Sequence, residues 1–384
     1  MNKKIFIVAG EASGDLHGAD LTRALFTLDP EVTLMGMGGE QMRQAGVQLL
    51  VDAGNLAALG VTDTLYHLVR LSRAFFRLRA ALAAERPDLL ILIDFPDFNF
   101  LLARASRRMG IPVLYYISPQ VWAWRPGRVR TLKRLVEKML VIFPFEEALY
   151  REAGVPVTFV GHPMVDRLRN VPTREEARRH LGCRESDVVV GLLPGSREAE
   201  IAHHLPVLQG AVAQIVQAKP EVCFLLAVAN SLPPRTTGRL LEASNSHIRS
   251  VSGQTYQVMR AADLLITASG TATLEAGLLG TPMIIIYRVS QLTWLAGKLL
   301  VDVPSIGMVN LVAGKRVVPE LVQNDFTSER VAETALELLH SPGVLGAIRR
   351  ELGGVRGRLG EEGASLRAAR EVLKTLQETE AQHS

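Results

Sequence analysis

Short runs of Val, Ile and Leu, each followed by a stretch with helical spacing, recur through most of the chain. A parallel strand that is covered by helices on both faces is apolar throughout, whereas a half-exposed strand alternates apolar and polar residues. The pattern therefore predicts βαβ units and parallel sheets. Predicted helices include Ala19–Leu28 and Leu205–Gln217. The predicted strands are Lys4–Ala9, Val32–Met37, Leu89–Ile93, Val113–Ile117, Met139–Phe143, Thr158–Val160, Val188–Leu193, Cys223–Val228, Leu264–Thr267 and Met283–Tyr287.

The chain has 384 residues, which is more than one hydrophobic core usually serves, so two domains are predicted. A polar break at Asp166–Ser186 separates the two sets of strands. We place one lobe at 1–168 and the other at 169–344, with the C-terminal helices of 345–384 able to pack back on the first. The fold class is α/β, with two Rossmann-like, doubly wound lobes facing across a cleft.

Composition excludes several classes of protein. The chain has only two cysteines, Cys183 and Cys223, and they are far apart in sequence, which argues against a disulfide framework or a structural zinc site. No run approaches the roughly 20 apolar residues of a spanning helix, and the N-terminal apolar run is too short for a secretory signal. These features predict a cytoplasmic protein. The net charge of +4 suits an anionic partner but is a weak indication.

Three glycine-containing turns stand between a predicted strand and a helix, at Gly10–Asp15, Pro194–Arg197 and Ser269–Thr273. None matches the phosphate-binding loop of kinases and ATPases, and the first lacks the GxGxxG spacing of dinucleotide-binding proteins. Glu11 and Asp15 would repel a diphosphate at the first turn.

The third turn instead offers Ser269, Gly270 and Thr271, small residues whose backbone N–H groups begin a helix and can bind an anion. Arg197 in the second turn adds a guanidinium that suits phosphate oxygens. A nucleotide diphosphate is therefore predicted in the second lobe. No Asp-x-Asp follows a strand, so we expect no metal and no cofactor. Glu275 could accept hydrogen bonds from ribose hydroxyls or merely complement the helix dipole, and spacing alone leaves both open.

Six motifs follow one another along the chain, and one of them contains two tryptophans. Together they resemble the lipid-A-disaccharide synthase family over essentially the full length. The motifs are Gly10–Asp15 (GEASGD), Asp94–Asn99 (DFPDFN), Ser118–Arg125 (SPQVWAWR), Leu193–Arg197 (LPGSR), Ser269–Glu275 (SGTATLE) and Met308–Gly314 (MVNLVAG).

The resemblance implies an inverting glycosyltransferase of the GT-B type. It would join UDP-2,3-diacylglucosamine to 2,3-diacylglucosamine 1-phosphate, giving the β-1,6-linked disaccharide 1-phosphate and UDP. Matching positions put Arg197, Glu275 and Asn310 at UDP, and Glu11, Ser13, Asp15 and Asp97 on the acceptor side. The chain departs from the family pattern at Phe95, Gln120 and Met308-Val309, which bears on acyl or sugar contacts and leaves Asp97, Arg197 and Glu275 untouched.

The resemblance favours Asp97 as the base that takes the acceptor's proton, since it follows a strand end where such sheets present ligand-binding loops. Without the resemblance, Asp94 is an equal competitor, and Asp97 could simply cap the next helix. Trp124, Arg125 and Arg128 could bind the acceptor's sugar and phosphate or form an ordinary basic loop. No nucleic-acid-binding motif accompanies them. His203 and His204 are expected to face solvent, whereas the role of His162 stays open.

A basic amphipathic stretch lies between the first and second motifs. Four arginines within 70–79 alternate with large apolar residues at helical spacing. Such a helix suits either a membrane interface or a protein core with a solvated basic face. Acylated substrates favour peripheral attachment to the inner face of the cytoplasmic membrane. The membrane-facing candidates are Leu65, Leu68, Val69, Phe75 and Phe76.

Other functions remain compatible with these residues. A UDP-N-acetylglucosamine 2-epimerase or a MurG-like transferase would share two similar lobes. A non-catalytic nucleotide-sugar-binding protein would keep Arg197 and Glu275 but need no acid at Asp97. The sequence leaves the oligomeric state open, a homodimer included.

Overall fold

The computed structural model describes residues 3–54, 64–119, 127–229, 232–242, 247–290 and 305–383. The chain divides into two compact units, which we call unit 1 (Met1–Asp166 with Leu359–Ser384) and unit 2 (Arg167–Arg358). The first division falls two residues before the expected one. The chain returns to unit 1 only at Leu359, whose carbonyl accepts a hydrogen bond from His162 N–H at 2.9 Å.

Unit 1 contains a seven-stranded parallel sheet in the order β3-β2-β1-β4-β5-β6-β7. Its strands are β1 (Lys4–Ala9), β2 (Thr33–Gly38), β3 (Gln48–Asp52), β4 (Leu89–Ile93), β5 (Val113–Tyr116), β6 (Lys138–Val141) and β7 (Val157–Phe159). Its helices are α1 (Ala12–Leu28), α2 (Glu40–Gln44), α3 (Thr64–Glu85), α4 (Pro96–Arg108), α5 (Arg128–Leu135) and α6 (Pro144–Glu152). The short helix α7 (Pro163–Arg167) leads into unit 2.

Unit 2 contains a six-stranded parallel sheet in the order β10-β9-β8-β11-β12-β13. Its strands are β8 (Val188–Leu193), β9 (Val222–Val228), β10 (Ile248–Ser252), β11 (Leu264–Ala268), β12 (Met283–Tyr287) and β13 (Glu320–Val322). Its helices are α8 (Arg174–His180), α9 (Glu198–Ala218), α10 (Pro234–Glu242), α11 (Thr255–Ala261), α12 (Thr271–Leu278), α13 (Met308–Ala313), α14 (Ser328–Leu339) and α15 (Pro342–Arg358). The last helix, α16 (Ala364–His383), belongs to unit 1.

The central strands of both sheets are buried along their length, as the continuous apolar runs predicted. Every residue of β4 is fully buried, and so is β1 after its first residue. The prediction of two doubly wound, Rossmann-like α/β lobes is confirmed.

The sequence pattern missed three strands, and all three are edge strands. β3, β10 and β13 end their sheets, and each lacks the continuous apolar run of a central strand. β3 is exposed or half-buried throughout, and only two of the five residues of β10, Ile248 and Val251, are buried. An edge strand is covered less completely than a central one, so its sequence does not carry the signal that identified the others.

Each sheet has a topological switch point, where strand order reverses and ligands of open α/β sheets bind. In unit 1 it lies between β1 and β4, and in unit 2 between β8 and β11. The neighbouring strands end almost level, because Ala9 pairs with Ile93 and Leu193 pairs with Thr267. The fold therefore brings the first motif to the second, and the fourth motif to the fifth.

Candidate functional site

A cavity of about 480 Å³ opens at the switch point of unit 2. Its walls come from the loops after β8, β9, β10 and β11, which unite two of the three glycine turns. Of the predicted UDP-binding residues, Arg197, Ser269, Gly270, Thr271 and Glu275 line it. The remaining lining residues include Gly195, Ser196, Glu200, Ala229, Gly253, Thr255 and Tyr256.

The turn from Ser269 to Thr271 joins β11 to α12 and has the geometry of an anion site. Gly270 has φ 145° and ψ −162°, a conformation that only glycine adopts readily, and it lets the chain turn sharply into the helix. Ser269 Oγ donates to the Ile306 carbonyl at 2.8 Å, which fixes the turn. The first N–H groups of a helix lack intrahelical acceptors and can therefore bind a negative charge in the cavity.

The second glycine turn is already occupied by a carboxylate of its own chain. Glu200 Oε2 accepts the N–H groups of Ser196 at 3.0 Å and Arg197 at 3.3 Å. Its other oxygen lies 3.3 Å from Arg197 Nη1, although the arginine side chain keeps 80% of its surface exposed. An anion in the cavity would therefore meet the guanidinium of Arg197 and the N–H groups after Ser269, while Glu200 holds the second turn in shape.

Glu275 lies inside the helix α12 and is half-buried in the cavity wall. Tyr256 Oη donates to Glu275 Oε1 at 2.8 Å. Burial raises the pKa of Glu275 above its usual value, and the Tyr256 hydrogen bond and the charge of Arg167 oppose that rise. Glu275 lies beyond the first turn of α12, which is where an acid complements the helix dipole. Its hydrogen bond to Tyr256 is therefore its more specific interaction.

His204 contradicts the expectation that it faces solvent, because it is fully buried. Its Nδ1 lies 2.7 Å from the Pro194 carbonyl, and its Nε2 accepts Arg288 N–H at 3.1 Å. These contacts require a neutral ring protonated at Nδ1. Burial lowers the pKa of His204, in keeping with that form. The ring ties the second turn to the end of β12, whereas His203 is exposed as expected.

Asn310, which was expected near UDP, lies outside the cavity lining, and so does the neighbouring cation Arg288. The Asn310 amide is buried and makes hydrogen bonds to the backbone of Val317 and Val318 and to Glu320, so it joins α13 to β13. The Arg288 guanidinium donates to the carbonyls of Gln323 and Phe326 and lies over the Phe326 ring. Both side chains support the sheet behind the cavity.

At the switch point of unit 1, two consecutive residues adopt a left-handed backbone. Asp94 has φ 44° and Phe95 has φ 48°, which is strained for residues other than glycine. The Phe95 ring lies so close to Gly10 that a Cβ there would come within 2.2 Å of it. The second motif is thereby pressed onto the first, which explains a glycine at position 10.

The Asp94 carboxyl group titrates at a higher pH than an ordinary aspartate. Burial, followed by the negative charge of Glu11, raises the pKa of Asp94 to about 6. Tyr115 Oη donates to the Asp94 carbonyl at 2.5 Å and holds the strained backbone. A carboxyl whose pKa lies close to the working pH is suited to general acid or base chemistry.

Asp97 lies in the first turn of α4 in a different environment. Its side chain is 79% exposed, and Oδ1 accepts Arg128 Nη2 at 2.5 Å. Arg128 also lies over the Phe100 ring, at 5.2 Å from its centroid. The helix N-cap is Phe95, so Asp97 does not occupy the cap position.

The first motif divides into exposed and structural residues. Glu11 and Ser13 are exposed. Asp15 is buried, and its carboxylate accepts the N–H groups of Gly39, Gln41 and Met42 at 2.7–3.1 Å. Asp15 thus caps α2, so a direct contact with an acceptor would have to compete with three hydrogen bonds. Trp124 and Arg125 lie outside the described residues.

The basic helix α3 has one core face and one apolar patch on its outer face. Leu68, Val69 and Phe76 are 55%, 45% and 62% exposed. Phe75 departs from the expectation, because it packs against the core and lies edge-on to Phe98 at 6.3 Å. The Leu65 side chain lies outside the described part of the chain. No helix among the described residues is both long and apolar enough to cross a bilayer.

Sequence reasoning overlooked Glu200 and Tyr256 in the cavity. Glu200 had a local signal, because an acid at the third helical position can cap the turn before the helix. Tyr256 stands 19 positions from Glu275, on a different helix. No local spacing rule joins the two, since the switch-point geometry alone brings them together.

Solved structures with the same fold include sugar-nucleotide enzymes. A putative UDP-N-acetylglucosamine 2-epimerase from Listeria monocytogenes aligns with a TM-score of 0.68 at 13% identity, covering 99% of this chain and 98% of its own. The glycosyltransferase of kitacinnamycin aligns with a TM-score of 0.65 at 19% identity, covering 98% of this chain and 100% of its own. At such identities the likeness shows the fold alone, here that of GT-B enzymes.

Comparisons of sequence identify the family more specifically than comparisons of fold. The family model described as lipid-A-disaccharide synthetase matches residues 5–343. The lipid-A-disaccharide synthase of Geobacter sulfurreducens is 49% identical over 373 residues, which cover 97% of each chain. The chain therefore belongs to the lipid-A-disaccharide synthase family of glycosyltransferases.

Proposed function

We propose that the protein transfers the diacylglucosaminyl group of UDP-2,3-diacylglucosamine to 2,3-diacylglucosamine 1-phosphate, which forms a β-1,6 bond and releases UDP. The observation that carries the donor assignment is the cavity of unit 2. It combines a glycine turn at a helix N-terminus, an exposed arginine and a half-buried glutamate. These are the parts needed for a diphosphate next to a ribose.

In this proposal the diphosphate lies on Ser269, Gly270 and Thr271 and is approached by Arg197. The helix N-terminus and the guanidinium stabilise the charge that develops on the leaving UDP. Glu275 accepts hydrogen bonds from the ribose hydroxyls. Asn310 acts indirectly, by holding α13 against β13.

The acceptor occupies the switch point of unit 1, where one carboxylate removes the proton of the attacking hydroxyl as the bond to UDP breaks. The resemblance placed Asp97 first, whereas the environment of Asp94 favours Asp94, because its burial beside Glu11 raises its pKa to about 6, within the working range of a general base. Arg128 holds Asp97 and can also approach a phosphate. Glu11 and Ser13 are placed to contact sugar hydroxyls.

Three acceptor-side candidates of the sequence remain. We assign the sugar and 1-phosphate to Trp124 and Arg125, and give Asp15 an indirect role through the N–H groups that it binds.

Acylated substrates reside in a lipid leaflet, so the enzyme must approach a membrane surface. The outer face of α3 suits that task, because Leu68, Val69 and Phe76 are exposed beside Arg73 and Arg77. Apolar side chains can enter the interface while arginines attract anionic headgroups. We assign the protein to the inner face of the cytoplasmic membrane, with α3 as the contact.

Flotation with anionic vesicles tests the membrane contact. The double variant Leu68→Glu/Phe76→Glu should lose most of its vesicle binding and keep the thermal stability of the parent. Leu101→Glu is a matched control, since Leu101 is 50% exposed on α4 in the same unit. Equal flotation of the double variant and the parent would contradict the assignment.

A product assay tests the reaction itself. The enzyme is incubated with diacylated UDP-glucosamine, with and without the diacylated monosaccharide 1-phosphate, and the products are weighed by mass spectrometry. We expect a tetraacyl disaccharide monophosphate, with UDP released only when the acceptor is present. Conversion of the donor without acceptor would indicate an epimerase, and binding without conversion would indicate a non-catalytic protein.

A further inference from the structure

Tyr256 is a cavity residue to which the reaction assigns no task. It is the second residue of α11, the helix that follows β10, and its side chain forms part of the cavity wall beside Glu275. Its hydroxyl is 2.8 Å from Glu275 Oε1. Because Glu275 is acceptor-only when ionised, the tyrosine must donate in this hydrogen bond.

The charged surroundings of this carboxylate are simple. Among the described residues, the groups that influence Glu275 are the Tyr256 hydroxyl from α11 and the Arg167 guanidinium from α7. Both favour the ionised form, and burial opposes it. Burial, followed by the charge of Glu275, raises the pKa of Tyr256, so the phenol keeps its proton.

We propose that Tyr256 is a positioning residue for nucleotide recognition, which holds one oxygen of Glu275 so that the other faces the ribose diol. This inference rests on the proposed placement of UDP in the cavity of unit 2. The tyrosine acts through Glu275 and takes no part in bond making.

The chemistry of a diol explains why such a partner is needed. Two ribose hydroxyls donate hydrogen bonds, and an ionised carboxylate accepts them well. A protonated carboxyl loses part of its acceptor capacity and adds a donor that competes. Burial pushes Glu275 toward that protonated form, so a hydrogen bond from Tyr256 preserves both the charge and the orientation. UDP affinity should therefore fall as the pH drops through the pKa of Glu275.

Tyr256→Phe removes only the hydroxyl and should move that fall to higher pH. UDP affinity is measured by calorimetry from about pH 8 down to about pH 5.5, and each result is written as the ratio of the dissociation constants of variant and parent. The ratio cancels the titration of UDP's own terminal phosphate, which has a pKa of about 6. We expect a ratio of about 3 at the alkaline end that grows to about tenfold or more at the acid end, as one unit of pKa displacement would give.

Two further variants identify the group that titrates. In Glu275→Gln no carboxyl remains, so its ratio should be large at the alkaline end and shrink toward acid pH, as the parent's own carboxyl becomes protonated. Adding Tyr256→Phe to Glu275→Gln should leave the UDP affinity unchanged at every pH. Tyr287→Phe makes the same chemical change in unit 2, at a tyrosine outside the cavity lining. It should bind UDP like the parent at every pH. Thermal melts of each variant confirm that the fold is retained.

The outcomes separate the two proposals. Parent-like UDP affinity in Glu275→Gln would overturn the placement of the nucleotide itself. A large loss in Glu275→Gln with a pH-independent ratio for Tyr256→Phe would leave that placement intact and overturn the role of Tyr256. A ratio for Tyr256→Phe that still grows at acid pH in the Glu275→Gln background would also overturn it, because the titrating group would then be another residue.

Discussion

The two switch points have the same strand order and different loop chemistry. In each sheet the third, second, first and fourth strands are neighbours in that order, and loops after the first and fourth meet. Unit 1 presents Glu11, Asp94 and Asp97 there, whereas unit 2 presents Ser269, Thr271 and Arg197, and its two acids, Glu200 and Glu275, are held by hydrogen bonds. The fold therefore decides where a ligand can bind, and the loop residues decide which charge it can have.

The carboxylates of the two regions also differ in their hydrogen bonds. In unit 2, Glu200 is held by two backbone N–H groups and Glu275 by a tyrosine. In unit 1, Asp94 lies beside Glu11, and the like charge helps to raise its pKa. Unit 2 restrains its acids so that an anion can approach, while unit 1 leaves a carboxyl poised to exchange a proton.

The largest expected effect separates the two aspartates of unit 1. Asp94→Asn should lower turnover by about 10³-fold, since positioned proton transfer contributes roughly 10²–10⁴-fold, and should leave UDP affinity in unit 2 unchanged. The parent's turnover should rise with pH through a pKa of about 6, the value of Asp94. Steady-state rates from about pH 5 to about pH 8 measure both effects.

Asp97→Asn is the matched control for that experiment, because it makes the same change three residues away. If Asp94 is the base, Asp97→Asn should lose less activity and keep the rising limb of the pH profile. A larger loss in Asp97→Asn, with Asp94→Asn nearly active, would return the role of base to Asp97 and its partner Arg128.

A second prediction makes the turn of unit 2 resemble that of unit 1. Thr271→Asp puts a carboxylate at the start of α12, where it should repel the diphosphate and weaken UDP binding by at least about tenfold. The same charge suits a helix N-terminus, so the melting temperature should stay equal or rise slightly. Thr271→Asn is the neutral control, and calorimetry with UDP gives the affinities. Equal affinity in the aspartate and asparagine variants would move the diphosphate away from this turn.

The sequence predicted the central strands well because their signal is local. A run such as Leu89–Ile93 is apolar at every position, and the structure buries all of it. Edge strands such as β10 could not be found in that way, because solvent on one side permits polar residues such as Arg249. The strand order was also beyond local reasoning, although it determines which motifs become neighbours.

The candidate site shows the same division. Glycine turns and charge identified the lining of the unit 2 cavity, since a turn's residues are consecutive. Tyr256 and His204 were missed or misplaced because their partners are distant in sequence: Glu275 for one, Pro194 and Arg288 for the other. Whether a histidine near a helix start faces solvent or a carbonyl depends on which strand ends beside it. The spacing of residues along the sequence does not show that.

His204 tests how far the unit 2 turn depends on support from behind. His204→Leu leaves the Pro194 carbonyl and the Arg288 N–H buried without their present partner. We expect unit 2 to lose about 1–3 kcal/mol of stability in urea unfolding, the usual cost of unsatisfied buried groups. UDP affinity should fall as well, because Arg197 lies on the loosened turn. His203→Leu, the exposed neighbour on the same helix, should change neither quantity, and similar losses in both variants would contradict a specific tie.

The smallest effect concerns stability in unit 1, and its sign is opposite to the effect on activity. Asp94 has its pKa raised from 3.8 to about 6, so the fold favours the protonated form. The associated stability is present below the unfolded value of 3.8 and is lost as pH rises through about 6. Asp94→Asn supplies a neutral side chain at every pH. At about pH 8 the variant should therefore be more stable than the parent by about 1–2 kcal/mol, after allowance for partial solvent exposure.

That advantage should shrink as the pH falls from about 6 toward about 4, where Asp94 itself becomes neutral. Urea unfolding of parent and variant across this range measures the difference, with Asp97→Asn as an exposed control that should stay within about 0.5 kcal/mol of the parent. A variant less stable than the parent at every pH would mean that the Asp94 carboxylate holds the strained loop together. The acidity of unit 1 would then serve its architecture, as Glu200 serves that of unit 2, and the contrast between the two switch points would lie in their ligands alone.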